Sequence, residues 1–277
     1  MSTPTARVAA RVLRDNVNTV ALSGTRTVGR WMELACAVVA GAVTDTIRGR
    51  LPGAETVRQS WYLVTVTAVP AILMAVPFGI IVSIQVGNLI EQLGADALLG
   101  AAGGLGVIKQ GAPMATGFLL GGAGAAAIAA DLGSRTIREE IDAMITLGVS
   151  PVHRLVIPRT VAMLFVAPLL NVLIMAVGIT AGYLAAVAGR GVTPGSYWGT
   201  FGAFVTTTDI WISMGKAVIF GFLVVLIASQ RGLEAKGGPR GVADAVNAAV
   251  VLSVASVVLA NLAITQILNQ FLPQRIA

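Results

Sequence analysis

The sequence predicts an all-α integral membrane fold: an N-terminal interfacial (elbow) helix followed by five transmembrane helices. Three observations carry that prediction. Hydrophobic residues make up 56% of the 277-residue chain and charged residues only 12%, about half the roughly 25% usual in soluble domains. Five stretches are long, apolar and almost free of charge. Glycine is abundant, at 32 residues, while aromatics are 5%, the composition of helices that approach closely in lipid. Such a chain excludes a soluble enzyme, a disordered protein and a nucleic-acid module. The net charge of +6 reads as an orientation signal for a membrane protein rather than as a nucleic-acid footprint.

The first 30 residues carry Arg7, Arg11, Arg14, Arg26 and Arg30 with no apolar core behind them, so no cleavable signal peptide is expected there. The run 31–44 is apolar but short and contains Glu33. It falls below the roughly 20 residues needed to cross a hydrocarbon layer. With Arg48, Arg50 and Arg58 after it, it reads as a helix lying on the cytoplasmic leaflet. The spans follow at 64–90, 112–130, 160–188, 219–229 (extending back to about Asp209) and 246–271. The division is therefore 1–63, a cytoplasmic N-terminus with its interfacial helix, and 64–277, the membrane domain. With the N-terminus inside, segments 1–63, 131–159 and 230–245 hold 15 of the 19 basic residues. This bias follows the positive-inside rule, and five spans then place the C-terminus outside, in the periplasm.

The segment 131–159 is the most informative. Thr136 and Glu139 have the spacing of a capping box. Arg135 with Glu139, and Arg138 with Asp142, are four apart. Ile137, Ile141 and Met144 form one apolar stripe, and Gly148 and Pro151 close the element. The expectation is a short amphipathic helix between spans two and three. Its stripe suits either docking of a soluble partner or covering of the protein's own core.

Here the residues become specific. The run GAGAAAIAADLGSRTIREEIDAMITLGVSPVHRLVIPR at 122–159, with VRQ at 57–59 and RGLEAKGGPRGVADAVNAAV at 231–250, resembles the MlaE/YrbE permease family, membrane subunits of ABC transporters that move lipids. The IREEIDAM wording and the AKGGPRGV loop are most similar to the A-type YrbE permeases of actinobacterial Mce systems. The resemblance implies an elbow helix, five transmembrane helices and a cytoplasmic coupling helix between spans two and three. It implies pairing with a second, B-type YrbE permease, an ATPase dimer docked on residues 135–147, and Mce tunnel proteins on the outer side. The coupling residues it implies are Arg135, Arg138, Glu139, Glu140, Asp142, Met144 and Leu147. It further implies a lipid cavity lined by spans one, two and five, drawing on Phe78, Val82, Val86 and Leu89, on Lys109 and Gln110, and on Leu252 and Val258. The lipid would be a fatty or mycolic acid, a sterol or a phospholipid, and the direction import. The location implied is the inner (plasma) membrane.

No G-x-x-x-x-G-K-[ST] phosphate loop occurs in the chain, so the expectation is no cofactor here, with ATP and magnesium on the partner ATPase. One cysteine (Cys36) and one histidine (His153) leave almost no material for a metal site or a Ser-His-Asp triad. The run Gly122-Ala-Gly124-Ala-Ala-Ala127 matches a dinucleotide fingerprint, but it lies in an uncharged helix rather than after a strand. Close helix packing is the better reading, with Gly117/Gly121 and Gly178/Gly182 as GxxxG pairs. Asp131 is either a coupling charge or a helix-end charge near headgroups. In the family a charged pair occupies the position of Lys109 and Gln110; here the acid is replaced by Gln. His153 reads as a surface contact. Gln85, Asn88, Asn171, Asn247, Asn261 and Gln266 read as interhelical hydrogen-bonding groups, some of them facing a lipid path. An ion-coupled secondary transporter is the alternative function, but it calls for acids at the span centres and paired half-repeats, which the spans lack. An intramembrane enzyme would need a cluster of His, Asp or Ser.

Overall fold

A central helix surrounded by four others organises the molecule. The computed structural model describes residues 29–30, 32–42, 44–45, 53–92 and 98–271. The N-terminal arginines up to Arg26, Arg48 and Arg50, and the last residues including Arg275 lie outside the described residues. Five helices are long and apolar enough to cross a membrane. Among the described residues the elements are α1 (Met32–Ala42), α2 (Gly53–Gln92, span one), α3 (Leu99–Ile137, span two) and α4 (Glu140–Thr146). They continue with α5 (Val152–Arg190, span three), α6 (Pro194–Phe204), α7 (Thr207–Leu233, span four) and α8 (Pro239–Phe271, span five).

Span two touches all the others. Spans one, three, four and five stand around it in that order, each packed on the next, and the ring stays open between spans one and five. Small residues make this possible. A Cβ on Gly117 would overlap Val257 of span five and lie 3.0 Å from Phe220 of span four. One on Gly121 would come within 3.3 Å of Val254. Spans one and three meet just as closely: a Cβ on Gly79 would overlap the Gly178 carbonyl, and one on Gly182 would sit 3.3 Å from the Gly79 carbonyl. The glycine pairs singled out in the sequence therefore serve helix approach. Two π-helical turns, Val107–Gly111 and Leu120–Gly124, interrupt span two without ending it. The fingerprint-like run lies across the second of these, in continuous helix.

The spans reach past their uncharged runs. Span one starts at Gly53 rather than 64, span two runs 99–137 rather than 112–130, and span four is a full 207–233. The extensions of spans one and two carry charges that are paired on the protein, and that of span four carries Asp209, paired with Lys109, and Lys216, which is hydrogen-bonded to Thr265. Span four opens with a capping box in which Thr206 and Asp209 bond each other's backbone N–H groups. Polar bonds tie the interior: Asn171 donates to Ser213 Oγ at 2.9 Å and accepts from Thr116 at 3.3 Å, linking spans three, four and two. Asn88 pairs with Arg190. Gln85, Asn247 and Gln266 are exposed.

The short α1 lies against one end of the bundle, the end that also carries α4. Val38 packs with Val156 and Leu226, Arg30 pairs with Glu234 at 2.8 Å, and Asp45 meets His153 Nδ1 at 3.0 Å. We call this the basic end. At the far end α6, which the sequence reading did not contain, rests on the start of span two, where a Cβ on Gly100 would overlap the Tyr197 carbonyl. Tyr183, Tyr197, Trp198 and Phe201 form a cluster of edge-packed and tilted rings there. Burial pushes the Tyr197 phenol up from its ordinary pKa.

Candidate functional site

Asp131 and Lys109, 22 residues apart on span two, are separated by about 33 Å at 1.5 Å per residue. This matches the roughly 30 Å of a hydrocarbon layer, so the two charges mark its two surfaces. Each anchors a polar cluster.

At the basic end the centre is Arg159, whose side chain is only 2% exposed. It donates to the Leu155 carbonyl at 2.7 Å and pairs with Asp131. Asp131 also accepts from Arg135 Nε at 3.2 Å, Arg135 reaches Glu140 at 3.5 Å, and Arg138 holds Glu140 at 3.0 Å. A chain of alternating charges thus runs from a buried arginine of span three to α4. Of the two readings of Asp131, the structure gives it more than a helix-end role: it neutralises Arg159.

The local structure of 135–147 corrects the sequence reading. Thr136 does not cap a helix; it sits in the last turn of span two and donates to the Leu132 and Gly232 carbonyls. The chain turns at Glu139, whose φ of 61° is left-handed, and α4 starts only at Glu140. The expected pairs Arg135–Glu139 and Arg138–Asp142 are replaced by pairs to Asp131 and Glu140, because the turn swings Glu139 away. Gly148, with φ of 74°, ends the helix as expected. The stripe faces inward: Ile141 is buried, Met144 packs beside it on the main core, and Ile137 is half-buried. The face turned to solvent carries Arg138, Glu139, Asp142, Ile145 and Leu147, the last 80% exposed.

At the far end Lys109 Nζ lies 3.3 Å from Asp209 of span four. The acid missing next to Lys109 in the sequence is supplied from another helix. Lys216 is buried and donates to Thr265 Oγ1 at 2.9 Å and to the Lys109 carbonyl at 3.2 Å. Gln110 donates to Thr265 at 3.3 Å and accepts from Asn261 at 3.2 Å. Asp209, Lys216 and Thr265 were not among the expected site residues. Only the break in the apolar run at Lys216 hinted at them.

Between the clusters, the gap between spans one and five leaves one face of span two partly open. Met114, Phe118, Gly122, Ala123, Ala126 and Ala127 are all partly exposed, and a Cβ on Gly122 would meet nothing within 4 Å. Phe78 and Val82 of span one lie against span two, close to Gly111 and Gly106. Val86, Leu252 and Val258 are half-buried and Leu89 is exposed. Two further apolar grooves, of about 580 and 330 Å³, lie between spans one and three and share Ala176. None of the expected pocket residues lines them.

The family model described as Permease MlaE matches residues 56–267. A probable ABC transporter permease protein of Synechocystis is 25% identical over 224 residues, covering 81% of this chain and 85% of its own length. The Arabidopsis chloroplast protein trigalactosyldiacylglycerol 1 is 24% identical, over 87% of this chain and 69% of its own length. The MlaE permease protein of the Haemophilus influenzae intermembrane phospholipid transport system is 28% identical, over 62% and 67%.

Proposed function

Since the chain belongs to the MlaE permease family, and is thus a non-catalytic multi-pass membrane subunit of an ABC transporter working with a separate ATPase, we propose that it is the A-type permease of an Mce-type lipid importer. In this reading it sits in the inner membrane with the basic end in the cytoplasm, the far end and C-terminus outside, and a B-type permease as its pair. The transported lipid is a phospholipid, sterol or fatty or mycolic acid. The ion-coupled alternative is not favoured, because the relatives are described as ABC permeases and the charges lie at the ends of the span-two core.

The observation that carries the proposal is the open wall of span two. Four spans could close around the fifth, yet they leave uncovered its small-residue face, flanked by spans one and five. A second permease set against that gap completes an apolar cavity. Each buried methylene contributes about 0.8 kcal/mol, so an acyl chain or sterol is held there without a charged anchor. The exposed face of α4, with Glu139, Asp142 and Leu147 outward, suits the ATPase. Arg135, Glu140 and Met144 then brace it from behind.

Val86→Arg places a charge beside the proposed route. In the assembled transporter we expect it to abolish labelled-lipid uptake while the ATPase still co-purifies. Wild-type uptake by an intact variant complex would refute the route. Loss of lipid uptake in wild-type complexes that bind and hydrolyse ATP would instead refute the lipid assignment.

A further inference from the structure

At the basic end a cavity of about 390 Å³ lies between spans one, two and three, and it differs in kind from the apolar grooves. Its polar lining is Arg58, Arg135, Arg159 and Gln59 with Glu55 and Asp131, and Glu140, outside the lining, also reaches Arg135. Its other wall is apolar, formed by Ala127 and Ile128, with half-exposed Tyr62 at the rim. The cavity therefore has a charged pole and an oily pole at the depth where hydrocarbon gives way to headgroups.

Each cation has a carboxylate partner, Arg58 in Glu55, Arg135 in Asp131 and Glu140, and Arg159 in Asp131, but these pairs leave part of the donor capacity unused. Each guanidinium carries five N–H donors. Arg58 uses one nitrogen on Glu55, and Arg135 uses two, on Asp131 and Glu140. Donors on both remain unpartnered among the described residues, and the Arg58 side chain is 75% exposed at the mouth. Arg159 is too buried to reach a ligand, but its charge lies beneath the floor and offsets Asp131. The donors that these pairs leave over are the ones an incoming anion would bond. Paired arginines match the oxygens of a phosphate.

We propose that this cavity binds the phosphate headgroup of an anionic lipid from the leaflet at the basic end, with its chains lying along Tyr62, Ala127 and Ile128. The site adjoins the open face of span two at Ala127, but it requires only that the chain spans a membrane, not that the Mce or ATPase assignments hold. Arg135 belongs both to the cavity and to the ion-pair chain leading to α4, so an occupied site touches the element proposed to meet the ATPase.

The test uses the full chain in phosphatidylcholine nanodiscs. Binding of dihexanoyl phosphatidic acid, dihexanoyl phosphatidylcholine and inorganic phosphate is measured by calorimetry against empty discs. Phosphatidic acid is expected to bind at least tenfold more tightly than the other two. Arg58→Gln and Arg135→Gln should each weaken it about tenfold, the worth of one charge-assisted hydrogen-bonded contact. Arg154→Gln, which removes an exposed charge at the same end but outside the cavity, should leave it unchanged. Inorganic phosphate binding as tightly as phosphatidic acid would overturn the lipid assignment in favour of a free-anion site. Equal losses in the Arg154 variant, or none in the cavity variants, would overturn the site itself.

Discussion

Spans two and five are built for opposite surroundings, yet the hydrophobicity of each points the wrong way. Span two is the least hydropathic of the five and the most enclosed, with 67% of its most apolar stretch buried in the protein. Span five is decidedly more apolar and only 22% buried. In water the apolar helix would be the inner one. In lipid the tails are as oily as leucine, so burial follows the capacity for close approach instead. Gly117, Gly121 and Gly124 let neighbours reach the span-two backbone, while Val251, Leu259 and Leu262 of span five face outward.

Four substitutions test that contrast, each read as the unfolding midpoint in a denaturing-detergent titration. Asp131→Ala should cost most, because it strands buried Arg159. Breaking a buried pair costs about 3–5 kcal/mol, and the lower end applies since Asp131 is about a third exposed. A cost below 1 kcal/mol would mean that Arg159 finds another partner and that span two is not held by its charge. Next comes Gly117→Ala, expected to lose about 1–3 kcal/mol by overpacking against Val257 and Phe220. Gly122→Ala, five residues on but facing open space, should be neutral or slightly stabilising through helix propensity; equal penalties for the two glycines would remove the packing argument. The smallest effect belongs to Leu259→Ala on span five, 67% exposed, where we expect less than about 0.5 kcal/mol. A larger loss there would show span five to be a packed helix after all.

Charge-free length made the five crossings legible, and the GxxxG pairs made their contacts legible. The ends were not, because a charge stops an uncharged run wherever it falls. Lys109 and Glu55 lie inside helices, tolerated since each has its partner. Asp209, the partner of Lys109, is a hundred residues away in sequence, and no local pattern joins them. The supposed capping box at Thr136 failed for a related reason. A threonine bonds the carbonyl four residues back as readily as it caps, and the helix arriving from the membrane decided between the two. Arg159 was counted among the orienting charges; only the fold shows that it faces inward to Asp131. The glutamine beside Lys109 seemed to leave that lysine without an acid, which spans two and four restore together.

The Lys109–Asp209 pair also sets a timetable for synthesis. Span two leaves the ribosome with an ammonium group in a glycine-rich helix, and its carboxylate partner has yet to be made. At about 5–20 residues per second, the hundred intervening residues take about 5–20 s to appear. During that interval Lys109 lacks its counter-charge, and its side chain, 36% exposed even in the finished bundle, is left to water and headgroups until span four arrives. The far-end tie between spans two and four therefore forms only after span three, which is translated between them.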